Sequence, residues 1–113
     1  MKWNQLNAAD QLEQIKKESA EKNILIFKHS TRCNISRASL DRLERKWNDQ
    51  EMSNVKPYFL DLLNYREISG LIASQFNVEH ESPQILLINN GKAILDQSHF
   101  SIDYDQIKAA AKS

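Results

Sequence analysis

The sequence predicts an α/β domain with a central mixed sheet of about four strands flanked by helices, and three observations carry that reading. Two runs, Ile24-Leu25-Ile26-Phe27 and Ile85-Leu86-Leu87-Ile88, are apolar at successive rather than alternate positions, as strands covered on both faces are. Between them lie two stretches whose apolar residues recur at helical spacing. After the second run, Asn90-Gly91 is a tight hairpin signal, because both positions accept positive φ. A chain of 113 residues is long enough for one core and too short for two, so residues 1–113 are read as a single domain.

In chain order, Asn7 is placed as the cap of a first helix carrying Leu12, Ile15 and Ala8, with Asp10, Gln11, Glu13, Gln14, Lys16 and Lys17 as its solvated face. A strand follows at about Asn23 to Lys28. A helix then runs from Cys33 to about Asn48, with Ile35, Ala38, Leu40, Leu43 and Trp47 inward and the pair Asp41 and Arg45 on the other face. After the polar connection from Asp49 to Asn54, a second strand lies within Val55 to Leu63. Pro57 cannot donate to a ladder, so this strand is expected at an edge or to begin only after it.

Strand, helix and strand form a βαβ unit, whose two strands run parallel. A second long helix carries Ile68, Leu71, Ile72, Gln75 and Phe76. Gly70 in its interior disfavours the helix and is expected to permit close packing against the sheet. A polar loop from Asn77 to Ser82 leads through Pro83 into the strand Gln84 to Ile88, and Lys92 to Asp96 returns as its antiparallel partner. Ser101 is expected to cap a final helix bearing Ile102, Ile107 and Ala109 to Ala111, laid over the sheet edge. The order helix, βαβ, helix, β-hairpin, helix is that of a thioredoxin-like domain.

Composition narrows the function. The 15 basic and 15 acidic residues balance and the pI is near 6.8, so no field recruits nucleic acid or an anionic membrane. The two longest apolar runs have four residues each, against the roughly 20 of a membrane helix, and no secretory stretch opens the chain. A cytoplasmic protein is expected. The single cysteine excludes an internal disulfide and a self-resolving Cys-x-x-Cys cycle, so any redox chemistry has to finish with an outside thiol. The three histidines and the cysteine lack metal-ligand spacing, and no metal is expected.

That cysteine stands in Ser30-Thr31-Arg32-Cys33-Asn34-Ile35-Ser36, where a buried strand hands over to a helix. Unpaired N–H groups and the aligned peptide dipoles of the first turn place positive potential beside the sulfur, and Arg32 and His29 add to it. Such a setting favours the thiolate, which is the nucleophile.

Four segments resemble the monothiol bacilliredoxins, thioredoxin-like proteins of the bacillithiol system. They are Lys28 to Ser36, Ile68-Ser69-Gly70-Leu71-Ile72-Ala73, His80-Glu81-Ser82-Pro83-Gln84 and Ser98-His99-Phe100, and the likeness covers nearly the whole chain. Family members commonly have proline directly after the cysteine, where this chain has Asn34. The resemblance implies that Cys33 attacks the bacillithiol sulfur of a protein mixed disulfide, with bacillithiol as co-substrate and no bound cofactor. It implies supporting roles for Arg32 and Ser36, and contact with substrate for Thr31, Asn34, Ser82 and Pro83. Ser36 takes the place of a resolving cysteine and either bonds the thiolate or is a small first-turn residue. Pro83 is implied to be cis, with the Ser82 backbone facing an extended substrate. Bacillithiolated client proteins and free bacillithiol are the implied partners of a monomer. Two other readings compete: a non-catalytic thioredoxin-like interaction domain, and an iron–sulfur carrier like the monothiol glutaredoxins, whose glycine and phenylalanine after the cysteine are absent here.

Overall fold

The computed structural model describes residues 1–112. Its elements are β1 (Asn4–Gln5), α1 (Gln11–Glu18), β2 (Asn23–His29), α2 (Asn34–Lys46), β3 (Val55–Asp61), α3 (Arg66–Phe76), β4 (Gln84–Asn89), β5 (Lys92–Ser98), a 3₁₀ turn (His99–Ser101) and α4 (Tyr104–Lys112). The strands form one mixed sheet in the order β1-β3-β2-β4-β5. The pairs β1·β3 and β2·β3 are parallel, and β2·β4 and β4·β5 antiparallel. The sheet therefore has five strands where the sequence suggested about four. The addition, β1, is two residues long, too short to show any alternation, and pairs with Tyr58 and Phe59.

All seven residues of β2 are buried, because it is central and both of its faces are covered. Side chains alternate across a strand, so the continuous apolar run divides between two cores. Ile24 and Ile26 meet Leu12 and Ile15 of α1 and Ile68, Ile72 and Phe76 of α3, with Leu86 and Ile88 alongside. Leu25 and Phe27 meet Leu43 of α2 and Ile107 and Ala111 of α4, with Ile85 and Leu87. Each such fully buried aliphatic or aromatic side chain contributes on the order of 1.5–3 kcal/mol.

Pro57 lies inside β3, opposite Leu25. Its carbonyl accepts a hydrogen bond from the Asn4 side chain at 3.1 Å, on the β1 side, so its nitrogen also faces away from β2 and no β2–β3 ladder bond is lost. The hairpin forms as its turn residues demand, with Asn90 at φ 50° and Gly91 at φ 76°. It is longer than expected, since β5 runs on to Ser98.

Four local expectations are corrected. α1 starts at Gln11, not behind Asn7, because the Gln11 side chain folds back to accept the Asn7 and Ala8 N–H groups at 2.8 and 2.9 Å. The inward stripe of α2 is Ser36, Ser39 and Leu43 with Leu40 and Trp47 at its margin, while Ile35 and Ala38 are exposed. On α3 the small Ser69 is buried and Gln75 faces out, and Gly70 is exposed rather than packed on the sheet. Asp103, not Ser101, caps α4 through the Gln106 N–H at 3.2 Å, and the helix covers a sheet face beside α2 instead of the edge.

Candidate active site

β2 ends at His29, and the turn Ser30-Thr31-Arg32 carries the chain to Cys33, the N-cap of α2. The cysteine is extended (φ −103°, ψ 118°), its N–H donates to the Ser30 carbonyl at 3.1 Å, and its carbonyl accepts the Arg37 N–H at 3.1 Å. Backbone bonds thus hold the residue while the sulfur makes no capping bond, and the side chain is half-exposed. No acidic residue lies in the first turn of α2, so no carboxylate competes for the positive end of the helix.

Thr31, Arg32 and Asn34 are exposed around it, and the Asn34 side chain accepts a hydrogen bond from Arg37. Ser36 is fully buried. Its hydroxyl accepts the Ser30 N–H at 3.0 Å and lies 2.7 Å from His29 Nδ1, which ties the end of β2, the turn and the helix together beneath the cysteine. The Ser82-Pro83 bond is cis. Because Lys28 pairs with Gln84, Pro83 arrives at the same sheet end as the Ser30–Cys33 turn. The Pro83 carbonyl accepts the His99 N–H at 3.0 Å, and the His99 carbonyl accepts the Ser39 hydroxyl of α2 at 3.2 Å. The cis-proline loop, the end of β5 and α2 are thereby fixed to one another, with Phe100 76% exposed beside them. Ser82 Oγ is buried without a hydrogen-bond partner.

The structure corrects the expectation that His29 adds positive charge beside the sulfur, and it gives Lys28, the neighbouring residue of the same strand end, a setting not expected for it. His29 is buried, its ring 5.5 Å from that of Phe59, and burial holds its pKa below the usual value against the opposing pull of Asp61 and Glu44. It is thus predominantly neutral at pH 7, and a Ser36 hydroxyl donating to Nδ1 leaves the ring proton on Nε2. Lys28 points to the opposite face and is fully buried, where desolvation lowers its pKa to about 8. Its ammonium donates to the Ser69 carbonyl at 3.4 Å and lies 3.3 Å from His80 Nδ1. Burial, and next the Lys28 charge, lower the His80 pKa too. A signal for Lys28 did exist: it shares parity with Ile24 and Ile26, so in a strand covered on both faces it has to point at a helix.

A helix-capping cysteine facing a cis-proline loop on this sheet order defines a thiol oxidoreductase of the thioredoxin fold. A family model described as the monothiol bacilliredoxin BrxC matches residues 4–107, and the chain belongs to that family. A solved structure assigned as an oxidoreductase with a thioredoxin fold is 31% identical, with a TM-score of 0.80 over 94% of this chain and 90% of that one. Thioredoxin of Malassezia sympodialis is similar in fold, at 17% identity and a TM-score of 0.75, covering 98% of this chain and 89% of its own. So is thioredoxin of Fasciola hepatica, at 18% identity and 0.70, over 96% of each chain.

Proposed function

We propose that the protein removes bacillithiol from protein mixed disulfides through Cys33. The thiolate attacks the bacillithiol sulfur of the client's disulfide, forming a new disulfide to Cys33 and releasing the client's thiolate. A second bacillithiol thiolate then attacks the adduct, returning the Cys33 thiolate and leaving as bacillithiol disulfide. The observation that carries this reading is the lone, half-exposed cysteine at the start of α2. With no second protein thiol, the adduct waits for an external one.

In this reading Thr31 and Asn34 flank the sulfur, while the Ser82 backbone and Pro83 receive the extended client segment. Arg32 adds positive potential, and Ser36 supports the turn through His29 and the Ser30 N–H. Bacillithiol is a co-substrate and not a bound cofactor. The protein acts as a cytoplasmic monomer on bacillithiolated clients, without nucleic acid or membrane as partner. Among the described residues no helix is long and apolar enough to cross a membrane. The test is transfer from a bacillithiolated client: free client thiol should accumulate with the wild-type chain and not with Cys33→Ser. Equal release by both would identify a different nucleophile.

A further inference from the structure

Gly70 sits inside α3, exposed, and a Cβ added there meets nothing within 4 Å. Packing therefore does not require the glycine, and helix propensity disfavours it. The space beside it belongs to a cavity of about 320 Å³ lined by Leu62, Arg66, Ser69, Gly70 and His80. Two nitrogen groups line it, those of Arg66 and His80, and a third, that of Lys28, lies beneath His80. The Arg66 side chain is exposed and makes no hydrogen bond or ion pair among the described residues. His80 receives the Lys28 ammonium on Nδ1 at 3.3 Å, with the Ser69 hydroxyl at 3.2 Å, so its ring N–H is on Nε2. Lys28, against His80 and the Ser69 carbonyl, is fully buried with no carboxylate against it.

No acidic side chain lines the cavity. Glu81, the carboxylate next to His80, lies 3.6 Å from His99, though its charge also reaches His80, and Glu67, next to Arg66, is exposed. A buried ammonium is ordinarily paired with an anion, and an unpaired guanidinium offers a planar fork that matches a carboxylate. Besides Arg66, His80 and Ser69, the lining consists of Leu62, which is apolar, and Gly70, which has no side chain to fill the space.

We propose that this cavity binds a small dicarboxylate, one carboxylate on Arg66 and the other on His80 backed by Lys28, with a short carbon skeleton across Gly70. Lys28 and His29 point to opposite faces of the sheet, so the cavity opens on the α1–α3 face and not on the face that carries α2. The proposal is independent of the thiol exchange assigned to Cys33.

The test is titration of the full-length wild-type chain with succinate and, separately, with inorganic phosphate at low ionic strength, read by calorimetry and by amide chemical shifts. Succinate should bind saturably, moving the signals of Leu62, Ser69, Gly70 and His80. Arg66→Gln and Gly70→Leu should each weaken it at least about tenfold, the first by removing a charge-assisted fork and the second by filling the cavity. No saturable succinate binding, shifts that map elsewhere, or variants binding as tightly as wild type would overturn the proposal, and so would phosphate binding more tightly than succinate. Should either variant fail to fold, the wild-type shift map decides. Client release by Cys33 without succinate is unaffected by any of these results, so the two readings fail separately.

Discussion

At the scale of single residues, Ser36 and Lys28 are both buried polar groups at the site's end of the sheet, with opposite effects on stability. Ser36 satisfies both a backbone N–H and a buried imidazole, so Ser36→Ala leaves two polar groups without their partner. Such losses cost about 1–3 kcal/mol, and urea unfolding should show a drop in that range while client release slows without being abolished. Lys28 behaves oppositely. Its folded pKa of about 8 lies below the 10.5 of the free side chain, so between those values the unfolded chain holds more protons and stability rises with pH. The difference corresponds to about 3 kcal/mol at neutral pH. Lys28→Met should accordingly be more stable than wild type at pH 7 by about 1–3 kcal/mol, part of the gain being lost with the bonds to Ser69 and His80. That advantage should shrink as pH climbs from 8 to 10.5, and paired urea melts at pH 7 and pH 10 check it. Cys33 was legible because its strand-to-helix position is written in neighbouring residues. The burial of Lys28 and His29 was not, because Ser69, His80 and Phe59, which cover them, lie 30 or more positions away in sequence.

At the scale of elements, helical spacing and caps located all four helices, continuous apolar runs and the Asn90-Gly91 turn located the longer strands, and capping chemistry misplaced two helix starts. Side-chain bonds chosen by tertiary context decided those: Gln11 outcompeted Asn7, and Asp103 outcompeted Ser101. The β4–β5 turn is the element where local chemistry sufficed. Its tip docks on the end of α1, with the Asn90 N–H on the Ser19 carbonyl and the Gly91 N–H on the Ser19 hydroxyl, each at 2.8 Å. Gly91 at φ 76° has open space around a built Cβ, so Gly91→Ala introduces backbone strain and no clash. The expected cost is about 1 kcal/mol, with the fold and client release retained. A thermal melt reads it, and an unchanged midpoint would show that the turn relaxes out of the left-handed region.

At the scale of the whole molecule, the β-sheet order gathers at one end of the sheet what the sequence holds apart: the Cys33 turn, the cis-proline loop and the His99–Phe100 turn, the last two tied to α2 by the Pro83–His99–Ser39 bonds. The element order is legible in the sequence, as is the strand-to-helix position of Cys33, whereas the cis state of Pro83 follows only from the family resemblance, because an X-Pro bond taken alone favours trans. The cavity beside Gly70 was not, since it exists only where α3 and the loop before β4 close over β2. The central proposal is a one-sulfur cycle, and intact-mass spectrometry tests it most directly. After incubation with bacillithiol disulfide or a bacillithiolated client, the wild-type chain should gain the mass of a single bacillithiol on Cys33, and excess bacillithiol should remove it. A wild-type chain that never acquires the adduct, or a Cys33→Ser chain that does, would contradict the account.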